Sequence, residues 1–137
     1  MARNQHVWIK AELLESRPEE ILNVELPRLD VQEQNLLQKK RQLQFKRGDI
    51  WRALNQRSDR VEEAKKNLQR NTIQSHTAEL EATLAGAEAE LKAYRKKSEP
   101  VLRELEEQIK QVSGAIDEVY VQKDLLRDEL KKYVRLA

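Results

Sequence analysis

Apolar residues recur every seven positions along most of this chain, and that spacing constrains the fold more than any other feature. One line runs through Leu22, Leu29, Leu36, Leu43 and Ile50, and a companion line through Leu26, Glu33, Lys40, Arg47, Leu54, Val61 and Leu68. A straight α-helix drifts out of phase with a seven-residue repeat. A stripe kept over many repeats therefore belongs to an underwound helix lying along a partner helix. The second half repeats the pattern through Leu84, Leu91, Leu105, Val112, Val119 and Leu126, interrupted at Ser98 and followed by Tyr133. Its flanking residues are Leu80, Ala87, Tyr94 and Val101, then Leu102, Ile109, Ile116 and Leu130, so the seam steps sideways near Pro100.

Composition points the same way. Ala, Glu, Lys, Leu and Arg supply 75 of the 137 residues, aromatics are 4%, and there are three glycines and three prolines. A sheet needs β-branched and aromatic faces and frequent turn residues, which are scarce here. The expected fold is all-α: a long antiparallel helical hairpin of coiled-coil type with a short N-terminal helix. One hairpin buries a single narrow stripe against the entropy of ordering the chain, so self-association into a homodimeric four-helix bundle is expected.

Punctuation divides the chain. Residues 1–15 contain the amphipathic stretch HVWIKAELLE and read as the short helix. Ser16 with Pro18 and Glu19 reads as a capping box, in which serine oxygen and glutamate carboxylate each take an orphan backbone N–H. The first arm spans 16–70, with Pro27 and Gly48 as candidate kinks. Residues 71–77 hold the reversal, with Asn71, Ser75 and Thr77 as stop and start residues. The second arm spans 78–137 and bends at Ser98–Pro100. A reversal near residue 73 places Gly48 opposite Glu99, Lys40 opposite Glu107, and Arg95 to Lys97 opposite residues 50 to 52.

Arg47-Gly48-Asp49 spells a tripeptide of adhesion recognition, but it lies inside the heptad pattern rather than on a turn. It reads as a helix interior in which Gly48 is tolerated, bends the helix or breaks it, with Asp49 able to cap a restarted helix. Around it the charge is strongly positive: residues 39–60 hold eight lysines and arginines against Asp49 and Asp59. Lys46, Arg47 and Arg52, joined by Arg95, Lys96 and Lys97, make a candidate basic girdle for an acidic protein or anionic surface. Acidic stretches at 12–33 and 99–118 oppose nucleic acid along much of the chain, and aromatic stacking platforms are few. Trp8, between Val7 and Ile9, is either a partner anchor or a cap packed over Val134 and Leu136.

No catalytic constellation stands out. His6 and His76 are isolated, neither follows a glutamate at metal-bundle spacing, and there is no cysteine. No cofactor, metal site or enzymatic activity is expected. Lacking a signal-peptide core or bilayer-length apolar run, the chain reads as a soluble cytoplasmic protein. The expected function is a coiled-coil scaffold or adaptor for protein partners. The alternatives are a stalk or regulatory rod of a motor or secretion apparatus, and a binder of lipid or nucleic acid through the girdle.

Overall fold

A computed structural model of the protein describes residues 16–136. Two long helices dominate it and pack against each other as a helical hairpin, with no strand among the described residues. Helix α1 covers Leu26–Arg70 and α2 covers Thr77–Leu136. Residues 16–20 are already helical, including Ser16, which was expected to cap rather than join the first turn. The N-terminal segment 1–15, with Trp8, lies outside the described residues.

Between that first turn and α1 the helix widens. Ile21–Glu25 is a π-helical turn, closed by the Leu26 N–H on the Ile21 carbonyl. Pro27 stands two residues beyond it, without an N–H to donate and with a ring that crowds the preceding turn. The wide turn inserts one residue into the heptad. Counting back seven from Leu29 reaches Leu22, but Leu22 is 55% exposed and Ile21 is fully buried in its place. The seam is thus continued by Ile21, a one-residue shift that the expected line through Leu22 did not contain.

The chain divides into two units, Met1–Lys40 with Gln111–Ala137 and Arg41–Lys110. In the first, the buried apolar residues are Ile21, Leu29, Val112, Ile116 and Val119. In the second they are Leu43, Leu54, Val61, Ala64, Leu102, Leu105 and Ile109. Every buried residue of α2 falls on one of two seven-residue lines, 98–105–112–119 or 102–109–116–123. Burial in this fold is therefore confined to the seam.

Helix α1 runs unbroken through Gly48, whose missing Cβ would point into open space. No glycine has a positive φ. Gly48 thus neither ends a helix nor permits a close approach, and Asp49 caps nothing there: it pairs with Arg52 one turn on. Helix α2 likewise runs through Pro100. Ser98 is buried at the seam position beside it, and its hydroxyl donates to the Arg95 carbonyl at 3.4 Å.

The reversal is organised by Asn71. Its side-chain oxygen accepts the Ile73 N–H at 3.1 Å, and its amide nitrogen donates to the Ile73 carbonyl at 2.9 Å and to Thr77 Oγ1 at 3.0 Å. A 3₁₀ turn, Gln74–His76, then leads into α2. One side chain supplies the local hydrogen bonds that a turn glycine would otherwise make unnecessary.

Candidate functional site

The six basic residues singled out from the sequence all lie in the second unit. Lys46, Arg52, Arg95, Lys96 and Lys97 are exposed and Arg47 is half-buried. Their arrangement differs from the expected girdle because the register differs. Asp49 and Ile50 line a surface groove with Val101, Glu104, Leu105 and Gln108, not with residues 97 to 99. Farther along, the Arg57 guanidinium stacks over the Tyr94 ring at 4.0 Å. The offset is about one to two helical turns. It places Gly48 away from Pro100, and Arg95 to Lys97 level with residues 54 to 56 instead of 50 to 52. Lys40 and Glu107 form no ion pair among the described residues.

Three of the basic residues near the girdle are already engaged. Arg52 pairs with Asp49 and lies over the Phe45 ring at 5.5 Å. Arg57 fills the seam position seven residues after Ile50, donates to the Ala53 carbonyl at 3.1 Å, and faces Glu90 at 3.6 Å. Arg60 reaches the same Glu90 at 3.3 Å. By contrast Lys46, Arg47, Arg95, Lys96 and Lys97 make no ion pair among the described residues. The Arg-Gly-Asp tripeptide sits within the helix, where the extended display of an adhesion loop is not available.

The most constrained polar cluster lies in the first unit. Lys123 occupies the seam line between Ile116 and Leu130 and is only 5% exposed. Its ammonium donates to Glu33 and pairs with Asp30. Glu33 is the first charged member of the companion line on α1, so two polar residues meet inside an otherwise apolar stripe. The Lys123 ammonium and, less, the Tyr120 hydroxyl hold the Glu33 carboxyl below the usual carboxylate range. Asp30 first and Glu33 second raise Lys123 above the ordinary lysine value, against the opposing effect of burial. The signal for Lys123 was in the sequence: it is the one non-apolar residue in the line 102–109–116–123–130.

A second clamp holds the start of the first unit. The Arg17 guanidinium donates Nε to Glu129 at 2.7 Å and Nη2 to the other Glu129 oxygen at 3.0 Å, a bidentate pair. Its remaining nitrogen reaches Glu25 at 3.0 Å. These bonds hold Glu129 below the usual carboxylate range and raise Arg17. Sequence reasoning gave Arg17 no role, since its partner lies 112 residues away.

Among the described residues no cluster of three or more His, Asp or Glu side chains could hold a metal ion. No helix there is long and apolar enough to cross a membrane. No family model, curated protein or solved structure matches the chain.

Proposed function

We propose that the chain is a non-enzymatic coiled-coil scaffold or adaptor, cytoplasmic and soluble, whose paired helices hold recognition residues at fixed spacing for protein partners. The observation that supports this reading is the surface of the second unit. There α1 carries exposed Phe45 and Trp51 and the unpaired cations Lys46 and Arg47, and α2 carries Arg95, Lys96 and Lys97. Aromatic and arginine side chains together are the composition of protein interfaces, where rings supply buried area and cations select an acidic partner.

The test is affinity capture with the full chain beside two variants. One reverses Lys46, Arg47, Arg52, Arg95, Lys96 and Lys97 to glutamate; the other carries Phe45→Ala with Trp51→Ala. The expected outcome is a discrete polypeptide held in stoichiometric amount by the parent and lost by both variants. Retention by both would sink the reading.

A second reading, an anionic-surface binder, draws on the same unpaired cations. It calls for binding of anionic vesicles or nucleic acid that falls steeply with salt and ignores the aromatic substitutions.

A further inference from the structure

The first unit carries an open groove along one side of its helix pair. Glu25 of the π turn and Arg28, Gln32 and Leu36 of α1 line it on one side, and α2 lines it from Ala115 to Glu129. Gln32 and Gln122 are common to both ends of this groove, which fixes their level with each other. The Lys123 cluster lines neither end.

We propose that a second copy of this chain fills the groove. Its two-fold axis runs parallel to the helices, so that α1 of each copy lies antiparallel on α2 of the other. The floor fits an interface core. Apart from Glu25, Arg28, Glu118 and Glu129, its lining is uncharged in a chain that is 36% charged, and interface cores are depleted of charge. At the rim, Leu125 is 63% exposed and would be covered by the second copy.

Charge complementarity selects the occupant and its orientation. Lys39 continues the α1 stripe of Glu25 and Gln32 by one further heptad. Lys39, Arg28 and Glu118 are exposed and enter no ion pair among the described residues. A two-fold axis along the helices preserves axial level. It brings Lys39 of one copy within about a turn of the partner's Glu118. The contact occurs twice, as an isologous interface requires. All neighbouring helices are then antiparallel, the up-down-up-down arrangement of many four-helix bundles. Stacking α1 on α1 instead would not bring Lys39 to Glu118.

This inference rests on the scaffold reading for its biological use, while the dimer is measured on purified protein without any other partner. Light scattering after size exclusion should give the full chain twice its mass of 16.1 kDa. Lys39→Glu and Glu118→Lys should each return it to the single-chain mass with helical circular dichroism unchanged. Mixing the two variants should restore the doubled mass, because both rim contacts in the mixed dimer become Lys–Glu again. A wild type at single-chain mass at about 100 µM would overturn the proposal. So would variants that stay dimeric, dissociation by Lys39→Glu with Glu118→Lys unaffected, or a mixture that fails to reassociate.

Discussion

Lys123 is the residue at which the seam departs most from an apolar stripe, and its surroundings set how the first unit responds to pH. An ammonium buried between two helices is tolerated only when paired, because loss of its partner leaves an uncompensated charge away from water. Glu33 and Glu129 are both depressed by their cationic partners. A carboxyl lowered in the folded state contributes stability above its unfolded value, and that contribution is lost as pH falls through the folded value. Lys123 is raised, so its contribution is present below the ordinary lysine value of 10.5 and is lost only as pH climbs past it. Urea midpoints should therefore be flat near neutral pH and decline below about pH 4.5. Glu33→Gln with Glu129→Gln should lower the neutral plateau and flatten the acid limb; an unchanged acid limb would show that other carboxylates govern it.

The same cluster has a consequence for alignment. Along α1 the companion line reads Glu33, Lys40, Arg47, so sliding the helices by one heptad would set Lys123 against Lys40 instead of Glu33. Like charges at a seam position disfavour that register, the use best attested for buried polar groups in coiled coils. Replacing Lys123, Asp30 and Glu33 together by leucine should keep or raise the denaturation midpoint while losing this discrimination. Cross-linking between engineered cysteine pairs at levels one heptad apart would read out the second register. Gly48 offers the opposite case, a residue with no structural demand upon it. Its Cβ would meet open space and its φ is not positive, so Gly48→Ala should stabilise the helix by about 0.5–1 kcal/mol in denaturant titration.

At the scale of the element, the π turn at Ile21–Glu25 is the feature that keeps the stripe in phase across Pro27. It acts as a one-residue insertion, and removing one residue there should convert it to plain α-helix without moving Ile21 off the seam. Deleting the exposed Asn23 should thus leave thermal stability nearly unchanged. Deleting the exposed Gln38, within the regular part of α1, should instead rotate the preceding seam residues away from α2 and lower the melting temperature sharply. Equal losses from the two deletions would refute this account. Within the seam itself, Leu54 is 9% exposed, and Leu54→Ala should cost about 2–5 kcal/mol by guanidinium denaturation.

For the whole molecule, the heptad lines already named most of the residues that became the core: Leu29, Leu43, Leu54, Val61, Leu102, Leu105, Ile109, Val112, Ile116 and Val119 all sit on them. They did so because burial between two helices requires recurrence on one face, and recurrence is visible in one dimension. The polar reversal was legible for a similar reason, since Asn71 acts on neighbours only two and six residues away. The candidate basic set was legible as composition but not as geometry.

What the sequence alone determined is the class of fold, the identity of the seam and the position of the turn, each a consequence of local spacing and short-range hydrogen bonding. What only the tertiary structure decided is the alignment of one arm against the other. A turn near residue 73 allowed a symmetric register, but within the second unit the packed register is offset, separating Gly48 from Pro100. That choice rests on side chains far apart in the chain, of which Lys123 with Glu33 in the first unit is the most constrained. Sliding one helix along another changes every long-range pair at once while leaving the heptad spacing of each helix untouched.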